Sequence, residues 1–225
     1  MNDTASQPAA AARAQERAMI LTYAAAGRRA GLAALLALDE RLAAIWQATR
    51  DPMVGQMRLT WWHDALNRLD SVPAPAEPTL RGLAPHIGAP WHGADLAPLV
   101  EGWEALLDDA PAAEAEARYA AARGTLLFRL AATLLEDDDV RLDAAGAGWA
   151  MADLSHRVGD AAQAERLRGE ARSRLGPALA ARWPRRLRAV SAMAHLALID
   201  VSHHPQPIGH PSRAARILWH RLTGR

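Results

Sequence analysis

Asp39 and Glu40 stand side by side within LLALDERLAAIW, positions 35–46, in a strongly apolar segment. Acids in such a place are either ligands for a hard cation or partners of arginine. A helix that grips Mg²⁺ presents carboxylates four residues apart, because that spacing puts both on one face. Four residues beyond Asp39 and Glu40 stand Ala43 and Ala44, so the second half of the claw is missing. The other reading is an acid pair held by arginine, either Arg41 or one on a neighbouring helix. A second set lies in WAMADLSHRVGDAAQ, positions 149–163, with Asp153, His156, Arg157 and Asp160. Asp153, His156 and Asp160 share a face if the helix continues unbroken past Gly159, and one His with two Asp is a divalent-cation set. A wet surface or a capped helix end is the alternative.

Weaker constellations remain. Glu104 and Asp108, and Asp139 and Asp143, keep the four-residue spacing. The first pair reads as exposed acids near a helix end and Asp139 as part of a solvated acidic turn. His203, His204 and His210, with Asp200 nearby, would hold zinc only if the intervening PQPIG turn folds them together. His63-Asp64 follows two tryptophans expected in the core and reads as a polar pair on a helix surface. No G-x-S-x-G and no glycine-rich phosphate loop occurs.

The elements that position these groups read as helices. β-Branched residues are scarce, no alternating pattern persists, and Ala, Leu, Arg and Glu fill nearly every segment. The first helix is expected over 13–26 and the second, carrying Asp39 and Glu40, over 30–48. Asp51-Pro52 is a helix start, with Asp as N-cap and Pro at the first helical position. In that third helix Met57, Trp61, Ala65 and Leu69 form a stripe expected to be buried, widened by Leu59, Trp62 and Leu66. SVPAPAEP, at 71–78, is a loop. Further helices are expected near 78–86, 94–108, 112–135, 142–158, 160–175, 183–202 and 211–223. The expected architecture is all-α, a single bundle of about nine or ten helices over 13–225, behind a disordered N-terminal tail at 1–12.

Composition narrows the chemistry. Half of the 225 residues are hydrophobic, enough for a sizeable core in one domain. A net charge of +1, with arginines interspersed among acids, offers no stripe for nucleic acid. There is no cysteine, which excludes thiolate ligands and thiol nucleophiles. All 26 basic residues are arginine, which excludes a lysine Schiff base or a P-loop lysine; with heavy alanine use this suggests a GC-rich bacterial genome. No apolar run reaches the roughly 18 to 20 residues of a membrane span, and the opening is a poor signal peptide, so a cytoplasmic location is expected.

In order and spacing, YAAAGRRAGLAALLALDERLAAI, MRLTWWHDAL, ARGTLLFRLAATLL and GAGWAMADLSHRVGDAAQAERL resemble the squalene/phytoene synthase family, the head-to-head prenyl transferases. The resemblance covers most of the chain, from about Leu21 to the terminal LWHRLTGR. It implies an isoprenoid-synthase-like helical bundle around a cavity. In catalytic members, two acid-rich motifs on facing helices hold Mg²⁺ against isoprenoid diphosphates. The first motif, R-x-x-D-D-x-x-D, falls on Leu36, Asp39, Glu40 and Ala43; the second, R-D-x-x-E-D, falls on His156, Arg157, Asp160 and Ala161. Both are eroded. An arginine at 157 would repel Mg²⁺ while still suiting phosphate. The resemblance therefore implies a pseudoenzyme with no cofactor, and Mg²⁺ only if catalysis survives. It is closest to the degenerate branch that includes the mitochondrial assembly factor of respiratory complex I. That branch implies a subunit of a membrane complex or a prenyl lipid as partner, and a place at the inner membrane. The alternative is an active Mg²⁺-dependent prenyl transferase.

Overall fold

The computed structural model describes residues 6–225. Among them every regular element is helical: α1 (Ser6–Leu21), α2 (Ala26–Ala48), α3 (Pro52–Asn67), α4 (Pro78–Leu83), α5 (Gly93–Leu96), α6 (Pro98–Glu104), α7 (Ala112–Tyr119), α8 (Leu126–Leu135), α9 (Leu142–Ser155), α10 (Ala161–Leu179), α11 (Arg188–Asp200) and α12 (Pro211–Thr223). A π-helical turn, Ala120–Thr125, joins α7 and α8 into one rod, and α5 is a single turn. Counted that way there are ten helices among the described residues, in line with the all-α bundle expected from periodicity.

Helix ends follow local chemistry. The Asp51 side chain accepts a hydrogen bond from Met53 N at 2.9 Å, and Pro52 opens α3 as expected. Pro98 splits the helix expected over 94–108 into α5 and α6. Helix α1 begins at Ser6, so the alanine run at 9–12 is helical where a tail was expected; residues 1–5 of that tail lie outside the described residues.

The α3 stripe is corrected. Met57 is 69 % exposed and Trp61 47 %, and Met53 beside them is 69 % exposed. Leu59, Trp62, Ala65, Leu66 and Leu69 are the buried side, turned toward α2, α5 and α6. Apolar residues surround most of this helix, so periodicity alone allowed two stripes. The neighbours chose the one with Trp62.

Helix α9 is the centre, packed against the π turn, α8, α10 and α11. The π turn and α9 cross at glycine. A Cβ placed on Gly124 would lie 2.3 Å from the Gly146 carbonyl oxygen, and one on Gly146 would lie 2.3 Å from that of Gly124. Only residues without a side chain allow this approach, and it sets the neighbouring Arg123 against α9.

At the α11–α12 contact, Ser191 Oγ and His220 Nε2 are 2.8 Å apart, and the His195 and His220 rings lie 4.4 Å apart in the core. Arg216 Nη2 donates to His195 Nδ1 at 2.9 Å. Burial, the His220 ring and the Arg216 charge push His195 down to about 3. Burial likewise pushes His220 down to about 4.

Two outcomes are expected. Replacing Gly124 with Ala forces the backbones apart and should cost about 1–3 kcal/mol, read from urea unfolding. Both histidines take up protons near pH 6.5 once unfolded but resist them when folded. Their linkage therefore lowers stability as pH falls from about 6.5 toward 4, and restores it as pH rises. His195→Leu should flatten that slope in melting curves between pH 7 and 4.5.

Candidate functional site

The site is built on α2, the π turn and α9. Asp39 lies on the apolar side of α2, in register with buried Leu35 and Leu42. Asp153 comes from the last turn of α9. Between them stands the guanidinium of Arg123, which is fully buried. Arg123 Nε donates to Asp39 Oδ1 at 2.7 Å and Nη2 to Asp39 Oδ2 at 2.8 Å, a bidentate pair. Its Nη1 donates to Asp153 Oδ2 at 2.6 Å and also reaches the Tyr119 hydroxyl. Tyr119 in turn donates to Asp153 Oδ2 at 3.0 Å. Arg157, one helical turn beyond Asp153, closes the network with Nε at 2.7 Å from Oδ2 and Nη2 at 3.0 Å from Oδ1.

Aromatic rings enclose the cation. The guanidinium carbon of Arg123 is 4.3 Å from the Trp149 ring and 4.6 Å from that of Trp103. Such contacts strengthen when water is excluded. Burial works against a charge on Arg123, but Asp153 and Asp39 hold its pKa well above the ordinary value. Burial alone would raise the Asp153 carboxyl; Arg123 and Arg157 override it and hold that group well below the usual carboxylate range. Burial keeps Tyr119 a neutral phenol. Two carboxylates thus face two guanidinium groups, and the charges cancel inside the protein.

The other expected residues do not join. Glu40, one position round α2, is exposed and pairs with Arg17 of the neighbouring α1, the second of the two arginine readings, and not with Arg41. Helix α9 ends at Ser155, so the face expected to run past Gly159 does not exist. His156 is the exposed C-cap of α9, at the mouth of the groove described below. Asp160 is the N-cap of α10, accepting from Gln163 N at 2.7 Å. A carboxylate that caps a new helix start is turned away from the preceding one.

Most of the weaker sets resolve as ion pairs and caps, while Glu104, expected to be exposed, is half-buried, and burial raises its pKa. Asp108 accepts from Arg118 at 2.6 Å, and Asp143 accepts from Arg129 at 2.6 Å. Asp139, expected to be solvated, is held by Arg141 through two contacts of 2.7 and 2.5 Å. Asp200 is committed to Arg213, while His203 and His204 are exposed and His210 caps α12. Among the described residues no three His, Asp or Glu side chains converge as a metal set. The donor set between α2 and α9 does not fit Mg²⁺ either, because each oxygen of Asp39 and Asp153 already accepts from a guanidinium.

Asp153 opens onto a groove of about 1180 Å³ between α1, α2, α9 and α11, which the buried Arg123 borders. Its apolar lining includes Leu36, Trp149, Met193 and Leu196, and its five arginines, Arg13, Arg17, Arg123, Arg157 and Arg213, face five acids, Glu16, Asp39, Glu40, Asp153 and Asp200; among the described residues the buried Nη1 of Arg157 is left without an acceptor. At its far side the buried Arg213 takes both oxygens of Glu16 at 2.6 and 2.9 Å and also holds Asp200.

Sequence reasoning missed Arg123 and Tyr119. They are four residues apart on one face of the rod, and the buried arginine immediately precedes Gly124. That was the available signal. Compared with protein-family models, curated proteins and solved structures, the chain matches none.

Arg123→Met should leave Asp39 buried without its counter-charge and cost about 3–5 kcal/mol. Adding Asp39→Leu should recover most of that loss, because the apolar pair replaces the ionic one. Urea denaturation of the two single variants and the double variant measures both effects.

Proposed function

We propose that this chain is a non-catalytic, squalene/phytoene synthase-like bundle that binds an apolar chain bearing an anionic head, such as a prenyl lipid, without Mg²⁺. The bidentate pairing of Arg123 with Asp39 carries the reading. In the transferase chemistry that the resemblance implies, the facing acids need spare lone pairs so that metal ions can bridge them to a departing diphosphate. Here a guanidinium takes the cation's place. It neutralises the acids but has no open coordination position to offer a phosphate oxygen.

The groove supports a binding role. An apolar chain would lie along Leu36, Trp149, Met193 and Leu196, with its head toward Arg13 and the unpartnered Nη1 of Arg157. Arginine binds phosphate oxygens directly and needs no metal to do so. A helper role in respiratory complex I assembly, and a place at the inner membrane, rest on the resemblance alone.

Calorimetry with farnesyl or geranylgeranyl diphosphate, with and without Mg²⁺, tests the reading. The expected result is binding that is indifferent to Mg²⁺, with no pyrophosphate release. Mg²⁺-dependent turnover at enzymatic rates, abolished by Asp39→Ala, would establish the transferase instead. Absence of any binding to either diphosphate would remove the lipid role.

A further inference from the structure

Helix α12 is apolar on two opposite sides. Ile217 and His220 face the bundle and are buried, as is the aliphatic stem of Arg213. On the outward side Leu218 is 50 % exposed, Trp219 57 % and Leu222 77 %. Offsets of three and four residues make these three one continuous patch. Nothing among the described residues covers it.

Beside this patch lies a basin of about 960 Å³, into which Leu222 reaches. Arg28, Arg185, Arg186, Arg188 and Arg221 line it, against a single acid, Glu136. Glu136 pairs with Arg28 and lies 3.9 Å from Arg186. Among the described residues, Arg185, Arg188 and Arg221 have no carboxylate partner. Arg188 Nη1 donates to the Arg221 carbonyl oxygen at 2.6 Å, while its buried Nε finds no acceptor. Arginines crowded together with unspent donors are a site short of anions.

We infer that α12 and this arginine basin form a docking surface for an anionic phospholipid bilayer. Leu218, Trp219 and Leu222 would enter the interfacial zone, and the basin would receive lipid phosphates. The two features complement the two layers of a membrane surface. Aromatic and leucine side chains suit the acyl boundary, and arginines suit the phosphate plane next to it. Charge complementarity favours this occupant over an apolar protein helix, for which unpaired arginines would be a desolvation cost. The exposed stripe on α3, Met53, Met57 and Trp61, supplies an internal comparison. This face of the molecule is separate from the groove, and the two share no lining residue.

The test is sedimentation of the full chain with vesicles, either phosphatidylcholine alone or phosphatidylcholine with phosphatidylglycerol, in buffer of low ionic strength. Binding to the anionic vesicles and not to the neutral ones is expected. Trp219→Ser with Leu222→Ser, and separately Arg185→Glu with Arg186→Glu, should each weaken binding about tenfold or more. All four residues are exposed, so the variants should melt like the parent protein. Trp61→Ser should bind like the parent. Equal binding to both vesicle types would overturn the inference, as would full binding by either double variant or an equal loss with Trp61→Ser. Stabilisation by glycerol phosphate without vesicle binding would instead make the basin a site for a free phosphate ester and sink the membrane assignment. Arg123→Met does not alter this surface, so the outcome is separable from that of the diphosphate experiments.

Discussion

Three helical segments meet where one guanidinium is shared by two carboxylates, and the bundle is organised around that meeting. Arg123 cannot be desolvated alone; the cost of burying an unpaired charge exceeds the whole stability of a domain of this size. It is tolerated because Asp39 arrives from α2 and Asp153 from α9, and because Trp103, Trp149 and Tyr119 surround the remaining faces. The Gly124–Gly146 crossing brings the π turn close enough to α9 for the geometry to close. Each part requires the others, so the network specifies how these helices are arranged as well as contributing to how firmly they are held.

The same device occurs a second time. Arg213 of α12 collects Glu16 from α1 and Asp200 from the end of α11, and it too is buried. Burial opposes its charge, and the two acids more than offset that. Both clamps border the groove. A chain with no lysine has met its need for buried cations with arginine, whose planar fork can satisfy two oxygens of one acid and still reach another.

How much of this was legible in the sequence depended on distance along the chain. Local chemistry read well: Asp51-Pro52 opens α3, and helical periodicity placed most elements within a few residues. Asp39 and Glu40 have opposite fates, one buried and one exposed, although the sequence reads them as one pair. Asp39 is in register with Leu35 and Leu42, and Glu40 with Leu36 and Ala43, all four buried, so periodicity does not separate the two acids. The partner of Asp39 was not readable. Arg123 lies 84 residues further on, and neither the π turn that carries it nor the crossing that sets its depth leaves a periodic trace. Asp160 was misplaced for the opposite reason. A short-range capping signal, Asp followed three residues later by Gln163, outweighed the longer helical face that would have joined it to Asp153. On α3 the pattern was ambiguous because both sides are apolar, and only packing against α2, α5 and α6 decides between them.

The cation between Asp39 and Asp153 is part of the polypeptide. An ion drawn from solution is present only as often as its concentration and affinity allow, and a chelator can strip it away. A tethered guanidinium is made with the chain, in a ratio of one per molecule, and has no dissociation rate of its own. The interior acids are therefore neutralised as soon as the helices close, whatever the ionic composition outside. This positive charge does not exchange with ions in solution.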